Sequence, residues 1–70
     1  MSKLIRNREK KQFFGRNGEW TDDIHNAWNF DSGKQAFDKA AELGLHNVEL
    51  CYQFYSFGHD TRLDFTFPLR

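Results

Sequence analysis

The sequence predicts a single small α+β domain in the order β-β-α-β-β, with an antiparallel sheet packed on one main helix. Three observations predict it. Asn17-Gly18 separates two short apolar segments, as a hairpin turn does; Ala36, Phe37, Ala40, Ala41 and Leu43 recur at helical spacing; and two segments of period 2 follow, Val48 to Tyr55 and Arg62 to Phe67. At roughly 100 to 200 residues per domain, 70 residues hold one domain and no second. A chain this short buries only about 60% of the surface its unfolded form exposes. Its core must therefore be dense, and eight Phe, two Trp and two Tyr make it an aromatic one.

Residues 1 to 10 are polar and basic around the pair Leu4-Ile5, and they predict a flexible N-terminal arm, with residues 11 to 70 as the folded domain. Gln12 to Arg16 and Glu19 to Thr21 form the first hairpin, in which Asn17-Gly18 supplies the two positive φ angles of a type I′ turn. Thr21-Asp22-Asp23 then offers oxygen acceptors for the start of a helical turn through Ile24, Ala27 and Trp28. Ser32 and Gln35 stand at capping-box spacing. The main helix starts there, near residues 33 to 43, with Phe37 in the stripe that faces the sheet and a Lys34–Asp38 pair outside. Gly44, followed by apolar Leu45, fits the left-handed position that ends a helix.

Val48, Leu50, Tyr52 and Phe54 alternate with Glu49, Cys51, Gln53 and Tyr55, and Leu63, Phe65 and Phe67 alternate with Arg62, Asp64 and Thr66. Taking Gly58-His59-Asp60-Thr61 as a four-residue loop pairs Phe57 with Arg62, and sets Phe54 beside Phe65 and Tyr52 beside Phe67. Pro68 ends the last strand.

The run Gly18-x-Trp20-Thr21-x-Asp23-x-x-x-Ala27-x-x-Phe30, with Ala36 six residues on, resembles a pattern seen in small uncharacterised bacterial and phage domains. The resemblance covers residues 18 to 36. It implies a compact α+β unit with a hairpin, a capped helix and further strands, and it brings no catalytic residues.

Several chemistries lack their residues. His25, His46, His59 and Cys51 stand at no metal-ligand spacing, and no P-loop, dinucleotide glycine fingerprint or nucleophile elbow is present. Catalytic, cofactor and metal sites are therefore all read as none, in a chain with little room for a pocket of roughly 300 Å³. The longest apolar runs are about two residues against the roughly 20 of a membrane span, so no membrane partner is expected. A basic N-terminus without an apolar stretch behind it, and a lone Cys51, point to the cytoplasm.

Two surfaces remain for a partner. Residues 1 to 16 carry six basic residues against Glu9, a net +5, and the rest of the chain is net −5. Lys3, Arg6, Arg8, Lys10 and Lys11 form the basic arm, which either rests on its own acidic body or binds nucleic acid weakly. One helix covers one face of a sheet, so the second face is either covered by the short helical turn or the N-terminal arm, with Phe57 packed under Arg62, or open, with Tyr55, Phe57 and Arg62 as its candidate interaction surface. A small non-enzymatic protein-binding or regulatory module, engaging a protein partner or a second copy, is the first functional expectation. The alternative is a nucleic-acid-binding accessory protein that uses the basic arm.

Overall fold

Leu4 and Ile5 are neighbours in sequence and are buried on opposite sides of a sheet, which is what a strand covered on both faces requires. They belong to β1 (Ser2–Asn7), in a computed structural model that describes residues 1–55 and 62–69, with Tyr55 placed by its backbone. Residues 2 to 7 are thus the middle of the sheet and not a flexible arm. The strand pairs with β4 (Val48–Tyr55) from Ser2↔Gln53 to Asn7↔Val48, and its charged residues are held there: Arg6 Nη1 lies 3.3 Å from Glu49 Oε1. The turn after it is built by Asn7, whose Oδ1 accepts from the backbone N–H groups of Glu9 and Lys10.

β2 (Phe13–Phe14) pairs with β1 at Arg6↔Phe13 and with β3 (Trp20–Thr21) at Phe14↔Trp20. The hairpin expected at Asn17-Gly18 is present with a different turn. Gly18 N–H donates to Gly15 O and Gly15 N–H to Glu19 O, so the loop has three residues, and Gly18 takes a positive φ of 84° while Asn17 does not. β5 (Arg62–Pro68) pairs with β4, giving an all-antiparallel five-stranded sheet in the order β3-β2-β1-β4-β5. Its register, Tyr52↔Phe65 and Phe54↔Leu63, lies two residues from the expected one. A two-residue shift keeps every side chain on its expected face. Phe54 with Phe65, and Tyr52 with Phe67, consequently touch as diagonal neighbours, edge to face at 5.6 and 5.9 Å. The expected loop, Gly58 to Thr61, lies outside the described residues.

α1 (Gly33–Glu42) starts and stops as its residues dictate. Ser32 Oγ accepts from Gln35 N–H at 3.1 Å, and Gln35 Oε1 reaches back to Asp31 N–H at 3.2 Å. At the far end Leu45 N–H donates to Ala40 O and Gly44 N–H to Ala41 O, with Gly44 at φ +63°. The helix meets the sheet through Ala36 and Ala40, both fully buried, and Phe37 is 46% exposed. Phe37 is therefore not core: two small residues let the helix sit so close to β1 and β4 that the stripe narrows and the ring turns outward.

Two apolar clusters flank the sheet. Under the helix lie Ile5, Phe14, Phe30, Val48 and Leu50, and on the other face Leu4, Phe13 and Cys51 are capped by Ile24 and Ala27. That cap is a single 3-10 turn (Ile24–Asn26) whose N-cap Asp23 accepts from His25 N–H. The chain then returns beside the diverging β1 and β2, where Trp28 N–H donates to Phe14 O and Phe30 N–H to Lys3 O. Among the described residues no helix is long and apolar enough to cross a membrane.

Candidate interaction face

Over β1 and β4 the second sheet face is covered by the short helical turn, one of the two readings the sequence allowed, while Arg62, Asp64 and Thr66 of β5 stay exposed. Cys51 and Gln53 are fully buried and the Glu49 side chain is engaged by Arg6. Arg62 is half-exposed, but its Nε lies 3.2 Å from Asp64 Oδ1. Phe57 and the side chain of Tyr55 lie outside the described residues, so of the three expected surface residues only Arg62 is located. The reason for the closure is the turn at Ile24–Asn26, which lays Ile24 and Ala27 over Leu4, Phe13 and Cys51.

Exposed rings gather on the helix-bearing face instead. Phe54, Leu63, Phe65 and Phe67 are all exposed, Phe65 by 52% and Phe67 by 53%. Phe54, Phe65 and Phe67, together with Met1, Leu50 and Tyr52, line an open, almost wholly apolar concavity of about 590 Å³. Its origin is a helix both shorter and narrower than the sheet it covers. Ten helical residues rise about 15 Å, whereas the eight residues of β4 extend about 27 Å. The helix shields β4 as far as Gly33, which abuts the Tyr52 hydroxyl, so Phe54 runs on past it; and because the helix packs on β1 and β4, Phe65 and Phe67 of the edge strand, level with Tyr52 and Leu50, are left bare beside it. Period 2 had placed these side chains on one face; which of them stay bare is decided by the two strands over which the helix lies.

A second concavity, of about 470 Å³, lies between the β2–β3 turn and the 3-10 turn and is lined by Arg16, Glu19, Trp20 and His25 among others. Both hollows are larger than the sequence led one to expect. The polar one is occupied with its own contacts, since Asn17 Oδ1 accepts from Glu19 N–H and Asn17 Nδ2 donates to Glu19 Oε2. Among the described residues no three His, Cys, Asp or Glu side chains gather as a metal site. The Cys51 thiol is pushed above its ordinary pKa, first by burial and then by the Asp64 carboxylate, which makes it a poor nucleophile.

The chain matches no family model, no curated protein and no solved structure.

Proposed function

We propose that this chain is a small, non-enzymatic protein-binding module whose contact surface is the aromatic face of β4 and β5. The observation that carries the reading is the row of half-exposed rings at Phe54, Phe65 and Phe67, continuous with the core and bare of polar cover. At roughly 150 to 250 Å² per ring, half-exposure leaves on the order of 100 Å² of each in water. Patches of that extent mark binding surfaces in soluble proteins, and aromatic residues are enriched in such contacts. The face offers area and shape; among the described residues it holds no nucleophile beside a base.

Of the basic residues on which the nucleic-acid alternative rests, Lys3 and Arg6 sit in the central strand, Arg6 paired with Glu49, while Arg8, Lys10 and Lys11 lie exposed at the turn that follows. The test compares the parent chain with the double variant Phe54→Ser, Phe67→Ser, both immobilised and both shown folded by circular dichroism. A partner identified from the native host, then purified, should bind the parent and lose at least tenfold in affinity for the variant. Equal affinity for the two would sink the proposal.

A further inference from the structure

The outer edge of β5 is seven residues long and, among the described residues, pairs with nothing. The opposite edge of the sheet, β3, is only two residues long, and the inner side of β1 is sealed by Asn29 and Phe30, which bind Lys3 N–H and Lys3 O. Long bare edges are templates for another strand.

The hydrogen-bond parity of that edge follows from the bonds around it. Leu69 N–H donates to Val48 O, which makes Val48↔Leu69 a hydrogen-bonded pair. Such pairs alternate along an antiparallel ladder, so the backbone groups of Leu63, Phe65 and Phe67 point toward β4, and those of Arg62, Asp64, Thr66 and Pro68 point outward. Pro68 agrees with this, since its missing N–H falls on the outward side where β4 needs nothing. Arg8 N–H to Asn47 O fixes the same alternation on the other side of β4, where its odd-numbered residues serve β1.

We propose that two copies of this chain associate through β5, antiparallel about a two-fold axis at Phe65. The proposal rests on the binding-face reading above and names the partner as a second copy. Phe65 is the midpoint of Arg62–Pro68, so this register overlaps the whole strand. Asp64 and Thr66 of the second copy then exchange both backbone bonds, and Arg62 N–H reaches Pro68 O. The Thr66 hydroxyl stands opposite the Asp64 carboxylate and can donate to it. Sliding by one residue would turn the rings to the polar side; sliding by two sets Asp64 against Asp64 in one direction, and in the other sets Asp64 against Pro68 and loses the Thr66–Asp64 contact. On the other face Phe65 meets Phe65, and Leu63 meets Phe67, so the two aromatic faces join into one. The shared area is small, which makes the association reversible.

Sedimentation of the full chain over micromolar concentrations should show twice the monomer mass. Thr66→Pro removes one outward N–H and none that serves β4, so it should give a monomer with unchanged circular dichroism. Phe65→Cys tests the axis directly. Facing residues of a non-hydrogen-bonded pair have Cα atoms about 4.5 Å apart, inside the roughly 4.4 to 6.8 Å of a disulfide. Phe65→Cys should therefore oxidise to a covalent dimer, while Leu63→Cys, far from its own copy, should not. A monomeric parent chain, or cross-linking equal at both positions, would overturn the proposal. If that monomer still binds an identified partner in a manner lost on Phe54→Ser, Phe67→Ser, the dimer falls and the binding face stands; if it does not, both fall.

Discussion

The hydroxyl of Tyr52 occupies the space that a side chain on Gly33 would need: a Cβ at residue 33 would lie 2.6 Å from Tyr52 Oη and 3.1 Å from Leu50 Cδ2. Here the first helical residue touches the sheet, and here the helix ceases to cover β4. Gly33→Ala gains helix propensity of at most about 1 kcal/mol and must displace Tyr52, whose ring is held edge to face by Phe67. Overpacking of this kind costs about 1 to 3 kcal/mol. The expected outcome is a net loss, seen as a lower urea midpoint. Gly33→Ala combined with Tyr52→Phe, which removes the obstructing oxygen, should recover part of it; a midpoint for Gly33→Ala at or above the parent's would show the contact to be slack.

The two apolar positions that sequence and structure rank oppositely give the second prediction. Ile5 is fully buried in the central strand and Phe37 is largely exposed. Ile5→Ala should cost about 2 to 5 kcal/mol, a large share of the stability of so small a domain. Phe37→Ala should cost under about 1 kcal/mol, as surface substitutions do. Thermal melts of the two variants check both, and a Phe37→Ala melt as depressed as that of Ile5→Ala would contradict the helix placement.

Why Ile5 was hidden is instructive about what a sequence displays. The main helix, its cap at Ser32, its stop at Gly44 and the two long strands were all legible, because each has a local signature of period or turn chemistry. A central strand buried on both faces has no alternation to show. Leu4 and Ile5 stand side by side among Lys3, Arg6 and Arg8, and what accommodates Arg6 is a Glu49 43 residues away. The candidate face was half legible: the alternation put Phe54, Phe65 and Phe67 together, but their exposure depends on where the helix ends and on which strands it covers. The covering of the other face depended on Ile24 and Ala27 folding back over Cys51, a long-range contact that the sequence allowed without choosing it.

Gln53 supplies the third prediction. Its side chain is fully buried, and neither Nε2 nor Oε1 has a hydrogen-bond partner among the described residues. A buried amide left unsatisfied costs about 1 to 3 kcal/mol. Replacement by an apolar residue of similar length and flexibility removes the penalty and keeps the volume. Gln53→Met should therefore raise stability by about 1 kcal/mol, read as a higher urea midpoint at unchanged slope. A lowered midpoint would mean that the amide is satisfied in solution.

Cys51 gives a prediction in pH. The thiol is fully buried, and burial first, then the carboxylate of Asp64, hold its pKa above the ordinary value; Glu49 adds to this, while Arg6 and Arg62 oppose it. The unfolded thiol ionises near about 8.5. Above that pH the unfolded chain has released a proton that the folded chain retains, so the unfolded state binds fewer protons and stability falls as pH rises. Below it both states are protonated and the group contributes no slope. Urea midpoints of the parent chain and of Cys51→Ala, each measured at about pH 7 and about pH 10, isolate the effect, because the two chains differ in this side chain alone. Cys51→Ala should start lower, for the cavity it leaves, and fall less over the interval. The difference between the chains should narrow toward alkaline pH, and a native-state thiol reagent should react with the parent only as fast as the sheet opens. Parallel midpoints, with immediate reaction of the folded chain, would show that Cys51 is reached by solvent and that the cap of Ile24 and Ala27 does not close this face.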